Sequence, residues 1–434
     1  MRRRSCTLLA IPRTAAARAR AITGMLIACT LSGSSAAAQD STYAYYTEGS
    51  CLQAVDRTTA TFWRTGPDTT RYSIAHDTLL TVSANVARRC VTKFTVATTQ
   101  PRDLLLLAQL YLAAGDDSSA NAAVARRLAS ESTAPIGVRA KTIAQIASVY
   151  LNAKPHQLAR ARHYVAELDG MQAPDAAVWQ LAIHVLLLRY AYDLALDDAQ
   201  AIAEANAVIT AGQRLTPHDR EEFSWALLRG YEILSSFAAD SEGAAAAHLV
   251  VRRARHDIGK LHDILQRLDG IDSLVSLYGI PAPPLGGVWF GASSETTRPP
   301  LGKISLIILT PSREIMPALR RLQHEFGDQL EMTIVAQTVG YFEGQGPMTP
   351  SGEMSYLWEH YHTTLHAPGV LVLSETQFTT LPDGRRVGEP TENQLAYKTP
   401  FHVGYVLVDR QGIIRTIQTQ LNEQRLAAAI QKLM

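Results

Sequence analysis

No cysteine follows Cys90 in this sequence of 434 residues; the four that it contains are Cys6, Cys29, Cys51 and Cys90. The long C-terminal remainder therefore has no thiol of its own for dithiol–disulfide exchange. Charge is also sparse and balanced, with 19% charged residues and a net charge of +1. This balance gives no electrostatic reason to expect binding to nucleic acid or to an anionic membrane.

The first 38 residues have the pattern of a secretory signal peptide. A basic region with six arginines precedes the apolar stretch Ala21–Leu31, and small residues then lead up to Ala38. We expect cleavage after Ala38, and export to the periplasm or cell envelope. The apolar stretch is too short to span a bilayer comfortably, so we expect no transmembrane segment in the mature chain. An alternative is a lipoprotein anchored at Cys29, because Leu26–Cys29 resembles a lipobox.

Export makes the cysteines informative. Cys6 and Cys29 fall within the predicted signal, which leaves Cys51 and Cys90 in the mature chain. In an oxidising compartment these two are expected to form a disulfide. Closing a loop of that length contributes about 4 kcal/mol in the chain-entropy model. Two free buried thiols are the alternative.

Residues 39–278 are predicted to form an α-helical domain. Apolar residues recur there at helical spacing, and one pattern repeats with an offset of 39 residues. The matched positions are Leu104, Leu107, Ala108, Tyr111, Leu112 and Ala120 with Ile143, Ile146, Ala147, Tyr150, Leu151 and Ala159. Small residues at helix crossings with a tyrosine one turn later resemble the tetratricopeptide repeat (TPR). The resemblance implies a stack that binds a protein or peptide partner; an irregular helical bundle is the alternative.

The histidines of this helical region do not suggest a metal site. They are scattered along the sequence, without a carboxylate partner at metal-ligand spacing. We therefore assign no ligand role to His184, His218, His248, His256 and His262.

The sequence pattern changes after residue 278. Gly279–Pro284 is rich in proline, and we place a linker over residues 279–300. Ile304–Leu309 is a continuous apolar run, as in a strand that is buried on both faces. A helix is expected from Arg313, with Ser312 as its cap, and a second strand over Met332–Thr338. Two further strands flank the turn Asp409–Gly412, and a helix over Gln424–Leu433 closes the chain.

This C-terminal region resembles the exported thioredoxin-like thiol–disulfide oxidoreductases of the peroxiredoxin-like superfamily. Gly279–Pro283 matches their Gly-x-Pro-Ala-Pro, and Gly302-Lys303 matches the Gly-Lys before their first core strand. Their Cys-x-x-Cys-Arg-x-x-x-Pro falls on Leu309–Pro317. The fold class implied is an N-terminal TPR-like α-helical domain followed by a thioredoxin-like α/β domain over residues 301–434.

The resemblance also identifies the positions at which the residues needed for dithiol–disulfide exchange are absent. Leu309 stands at the attacking cysteine and Ser312 at the resolving one, with Thr310 and Pro311 between them. Val403 occupies the position of the family's cis-proline, where a cis peptide bond is strongly disfavoured. These degenerate positions predict no catalytic residue and no cofactor in this domain.

Two other chemistries are conceivable from the sequence. Ser312 would need a positioned base to act as a nucleophile, and a helix cap is the simpler interpretation. His362 and His366 have the i, i+4 spacing of metal ligands, yet their segment also has the composition of an ordinary helix. We predict neither a hydrolytic site nor a metal site.

Together these features predict an exported interaction or scaffold protein that is not an enzyme. Its thioredoxin-like domain would be redox-inactive, and its helical domain would bind a protein or peptide. The alternative is a thioredoxin-family oxidoreductase or peroxidase acting with a thiol supplied by a partner.

Overall fold

The computed structural model describes residues 51–57, 72–153, 156–195, 197–258, 262–290, 301–309, 315–338, 341–342, 346–347, 349–376, 378–380, 386–398, 404–419 and 421–434. The predicted signal peptide lies outside these residues, as do Thr310, Pro311, Ser312 and Val403. The chain divides into two compact units. The helical unit comprises the described residues up to Tyr192 with Ala199–Gly230, and the sheet unit comprises Asp193–Asp198 with Tyr231–Met434.

The described residues from 72 to 275 contain helices and no strand, as the sequence pattern predicts. The helices are α1 Tyr72–Val91, α2 Leu104–Ala114, α3 Asp117–Ala129, α4 Ile136–Asn152, α5 Leu158–Asp169, α6 Pro174–Arg189, α7 Asp198–Gln213, α8 Pro217–Glu222, α9 Ser224–Glu242, α10 Ala244–Ile258 and α11 His262–Val275. The division between the units falls within α9, between Gly230 and Tyr231.

Short polar motifs separate successive helices. Gly115 ends α2 in the left-handed conformation, with φ of 83°. The next residue, Asp116, caps α3 by accepting a hydrogen bond from the backbone N–H of Ser119 at 3.0 Å. α2 and α3 pack as a pair, and α4 and α5 pack as another.

The repeated pattern in these two helix pairs is buried at all but one position. Ala159, predicted to match the fully buried Ala120, is exposed, and Ala161 is fully buried instead. Ala120 and Ala161 are each the fourth residue of their helix, so the connection between α4 and α5 shifts the register by two residues. The predicted match therefore holds within α2 and α4 but is wrong for the second helices.

The sheet unit contains a mixed sheet of six strands. Its order is β1 (Val288–Phe290), β6 (Val370–Glu375), β3 (Leu330–Thr338), β2 (Ile304–Leu309), β9 (Gly404–Val408) and β10 (Ile414–Gln418). β6, β3 and β2 run parallel, while β1, β9 and β10 pair antiparallel with their neighbours. Two small hairpins pair β4 (Tyr341–Phe342) with β5 (Gly346–Pro347) and β7 (Phe378–Thr380) with β8 (Arg386–Gly388).

Helices cover both faces of this sheet. One face, with Leu306 and Ile308, packs against α12 (Met316–Phe326), α13 (Pro350–Glu359) and α15 (Glu423–Leu433). The opposite face, with Ile307 and Leu309, packs with Ala239, Ala247 and Val275 of α9, α10 and α11. α14 (Glu392–Ala396) is followed by the fully buried Tyr397 on that second face. The alternation along β2 follows from the period of two in a strand.

The proline-rich segment after α11 is bonded to the sheet. The backbone N–H of Ala282 donates to Gly412 O at 2.8 Å, and that of Ile414 donates to Ile280 O at 3.0 Å. The hydroxyl of Tyr397 donates to Pro283 O at 2.7 Å. Residues 291–300 of the predicted linker lie outside the described part of the chain. The domain boundaries drawn from the sequence stay predictions.

Two local expectations in the sheet unit have different outcomes. Asp409 closes the predicted turn: its carboxylate accepts from the backbone N–H groups of Gln411 and Ile413, both at 2.9 Å. The helix α12 spans Met316–Phe326 with Ile315 as its cap residue, and the expected start at Arg313 and cap at Ser312 lie outside the described residues. Pro317 lies in the first turn, where the missing N–H of proline has no cost.

Candidate functional site

Leu309, the position aligned with the attacking cysteine, is the last residue of β2. It pairs with Val335 on one side and with Gly404 on the other. Gly404 is the first residue of β9, so Leu309 lies where β2 ends beside the start of its antiparallel neighbour. The Leu309 side chain is fully buried in the core of the second sheet face. This end of β2 therefore carries an apolar side chain.

The aligned motif predicts a helix start directly after Leu309. The following helix, α12, begins at Met316, and the intervening residues 310–314 lie outside the described part of the chain. A helix N-terminus lowers the pKa of a thiol only within its first turn. The roles proposed for Thr310, Pro311, Ser312 and Val403 stay predictions.

The predicted disulfide between Cys51 and Cys90 is present, with the two Cα atoms 5.9 Å apart. Both cysteines are buried and pack against Leu110 of α2. The disulfide therefore tethers the helical residues 51–57 to α1 in the helical unit.

The histidines near residue 360 stack on aromatic rings. The ring of His362 lies 4.7 Å from that of Trp358 with an angle of 7° between their planes. His366 lies beyond the helical turn that ends at Thr364, with a left-handed φ of 46°. The two imidazoles therefore do not share a helix face. Within the described ranges, no group of three or more His, Cys, Asp or Glu side chains is placed to hold a metal ion.

His184 has two carboxylate partners that the sequence analysis missed. Its Nδ1 lies 2.6 Å from Oε2 of Glu204, and its Nε2 lies 3.1 Å from Oδ1 of Asp169. Burial alone would lower the pKa of His184, but the bonds and charges of the two carboxylates outweigh it and raise the pKa to about 9. The partners are 15 and 20 residues away in sequence, so no local spacing could reveal them. Because both ring nitrogens are occupied, this triad stabilises the fold.

A pocket opens on the helical unit between α3, α4 and α5. It has a volume of about 330 Å³ and is lined by Asn121, Tyr150, Ala159, Arg160, His163 and Tyr164. We call it the Tyr150 pocket. The rings of Tyr150 and Tyr164 stack in its wall, with centroids 5.8 Å apart and planes at 5°. Tyr150 is the tyrosine of the second repeat, so the repeated pattern supplies one wall of the pocket.

Arg160 is the cationic side chain of the Tyr150 pocket. Its guanidinium lies 5.8 Å from the centre of the Tyr150 ring, at the distance of a cation–π contact. Its Nη1 donates to Asp117 Oδ2 at 3.1 Å and to Gln157 Oε1 at 2.6 Å. The Tyr150 hydroxyl donates to Asn121 Oδ1 at 2.7 Å.

The tyrosine hydroxyls of this pocket remain protonated over the physiological range. Burial, with a smaller contribution from Tyr164, raises the pKa of Tyr150 to about 12. Burial also raises the pKa of Tyr164. The pocket therefore offers the Tyr164 hydroxyl and a guanidinium, and none of its six lining residues carries a carboxylate.

Comparison with known proteins gives limited information. No family model matches the chain, and no curated protein matches it. Among solved structures, a crystal structure of a thioredoxin-like superfamily protein is 20% identical. That match covers 36% of this chain and 96% of the other, with a TM-score of 0.25. None of the helices in the described part of the chain has the length and apolarity needed to cross a bilayer.

Proposed function

We propose that this protein is an exported, non-catalytic interaction protein. Its C-terminal region would be a thioredoxin-like domain without redox activity, and its helical region would bind a protein or peptide partner. Export follows from the signal-like first 38 residues, and partner binding follows from the TPR-like helix pairs.

The thioredoxin-like assignment is supported by the order of elements in the sheet unit. β2, α12 and β3 form a β-α-β unit with parallel strands, and β9, β10 and α15 follow as two antiparallel strands and a closing helix. This is the order of elements expected from the sequence.

The observation that carries the proposal is the fully buried Leu309 in a region without cysteine. Dithiol chemistry needs an accessible thiolate nucleophile and a second thiol. In the alternative function, a partner supplies the thiol. That thiol would have to react beside Leu309, whose side chain is buried. The remaining mature cysteines, Cys51 and Cys90, are bonded to each other.

Two activity assays test the absence of redox chemistry. The purified mature protein should neither reduce insulin disulfides nor consume peroxide at the expense of a dithiol, with an active thioredoxin as the positive control. Reproducible turnover by the unmodified protein would show that the non-catalytic assignment is wrong.

A double-cysteine variant tests the motif register. Leu309→Cys combined with Ser312→Cys should form a disulfide under mild oxidation, since a matched register holds the two positions within bonding distance. Its exchange should be slow, because the thiol replaces a buried side chain and Val403 stands at the proline position. Failure of the two thiols to pair would mean that the alignment at Leu309 is incorrect.

Partner binding is tested with the mature protein as bait in an envelope extract. Retained proteins are identified by mass spectrometry and compared with those on a bait of similar size and charge. The absence of any specifically retained protein would contradict the interaction role.

A further inference from the structure

We propose that the Tyr150 pocket binds a carboxylate group of a peptide, with the guanidinium of Arg160 as its main contact. This inference rests on the proposed function, because it names the chemistry of the partner that the helical unit takes. The carboxylate could come from an Asp or Glu side chain or from a C-terminus, and both sources present the same pair of oxygens.

Arg160 is held in place but keeps donors for a ligand. Its bonds to Asp117 and Gln157 both use Nη1, and the Tyr150 ring supports its guanidinium. Among the described residues, none accepts a hydrogen bond from Nε or Nη2 of Arg160. Nε and Nη2 form one edge of the guanidinium fork, which is the edge that binds a carboxylate through two parallel bonds.

Two further polar side chains, Asn121 and His163, line the pocket. Asn121 uses its amide oxygen to accept from Tyr150, which leaves its amide N–H groups for a ligand. His163 is exposed beside Tyr164, with its ring edge-on to the tyrosine at 5.2 Å. A pocket that contains donors and no acidic side chain selects an acceptor with negative charge.

The volume and the charge favour a single carboxylate over a larger anion. A volume of about 330 Å³ is at the small end of ligand pockets and suits one side chain or one chain terminus. Asp117 already offsets part of the charge of Arg160, and phosphate groups are typically bound by clusters of arginines. One guanidinium opposite one carboxylate is the match that this site offers.

The aromatic side chains of the pocket favour a peptide as the molecule that bears the carboxylate. The partly exposed ring of Tyr164, which stacks on the buried ring of Tyr150, provides apolar surface beside the charged group. Ala159 and His163 on the rim are exposed, so an extended chain can pass across the opening. A peptide can place methylene groups against the Tyr164 ring and its carboxylate against Arg160.

The test is a selection of random heptapeptides on the full mature protein. One library displays peptides with a free C-terminus, and the other is fused through its C-terminus. We expect enrichment of Asp or Glu at one position if a side chain is bound, or binding only in the free-terminus library if a C-terminus is bound. Selection without dependence on any carboxylate would overturn the proposal, as would failure to select any peptide.

Variants then locate the selected peptide, with fluorescence anisotropy as the readout. Arg160→Gln should weaken binding at least about tenfold, because it removes charge-assisted hydrogen bonds. The matched control is Arg162→Gln, an exposed arginine on the same helix, which should stay within about twofold of the unmodified protein. Equal affinities of these two variants would overturn the assignment of Arg160.

A variant that binds more tightly cannot be explained by loss of folding. Asp117→Asn removes the competing carboxylate while it keeps an acceptor for Nη1. It should tighten binding about two- to threefold, the range expected for an exposed ion pair. Weaker binding by Asp117→Asn, in a variant with an unchanged circular dichroism spectrum, would contradict the proposal.

The outcomes separate this inference from the proposed function. Peptide binding that does not depend on Arg160 would refute the pocket assignment and leave the interaction role intact. Carboxylate binding through Arg160 in a protein that reduces insulin would refute the non-catalytic role and leave the pocket assignment intact.

Discussion

Arg160 on α5 of the helical unit and Leu309 on β2 of the sheet unit have different surroundings. Arg160 on α5 is only partly buried, stacks on a tyrosine ring and has donors left for a ligand. Leu309, the last residue of β2, is fully buried in the core. The comparison teaches that the neighbouring side chains decide what a position can do.

The largest expected effect concerns the disulfide of the helical unit. Replacing Cys51 and Cys90 together by serine should lower the free energy of unfolding of that unit by about 4 kcal/mol, since the closed loop restricts the unfolded chain. Urea unfolding monitored by circular dichroism measures this change. Thiol titration of the denatured, unreduced mature protein should find no free thiol, and two titratable thiols would disprove the pairing.

The next effect tests whether Leu309 is a core residue. Leu309→Ala should destabilise the sheet unit by about 3 kcal/mol, because it leaves a cavity between tightly packed side chains. The control is Leu395→Ala on α14, where 54% of the residue is exposed and the change should be small. Similar unfolding curves for the two variants would mean that Leu309 is not packed in the core, and the contrast with Arg160 would disappear.

A pH-dependent effect is expected from His184. Its pKa is raised from 6.5 to about 9, so its stabilising contribution is complete below pH 6.5 and is lost as the pH rises through 9. His184→Ala should therefore lower the free energy of unfolding by about 2 kcal/mol in mildly acidic buffer. Above pH 9 the same substitution should lower it by clearly less. The exposed His218→Ala serves as the control. A pH-independent difference would show that His184 acts through packing alone.

The smallest effect concerns the wall of the Tyr150 pocket. Tyr150→Phe removes the hydroxyl that donates to Asn121 and should cost about 1 kcal/mol, while the ring stack is kept. In the control Tyr164→Phe the lost hydroxyl has no partner among the described residues, so its cost should be smaller. Equal costs would mean that the pocket wall depends on the rings and not on the hydrogen bond.

Local signals were sufficient for part of this structure. The apolar run Ile304–Leu309 forms a strand buried on both faces, and Asp409–Gly412 forms the predicted turn. These features depend on neighbouring residues, whose preferences the sequence displays directly. The disulfide could be predicted from the number of cysteines, since only two remain after the predicted signal peptide.

Features that depend on distant residues could not be predicted. The triad of His184, Glu204 and Asp169 joins three helices, and helical periodicity does not indicate which faces will meet. The Tyr150 pocket is another example. Ala159 lines it and is exposed, whereas the repeat offset of 39 residues matches Ala159 with the buried Ala120 and so predicts that it is buried. The sequence suggested a stack that binds a partner, but the location of the binding groups required the helix packing.

The apolar contacts of α10 and α11 have a consequence for how such a chain could be rearranged in evolution. Residues of these helices cover one face of the sheet, although their sequence reads as a continuation of the preceding helices. Recombination at residue 279, where the pattern changes, would leave that face open to solvent and prone to aggregation. An exchange of the preceding helices would be tolerated only if 231–275 travelled with the sheet.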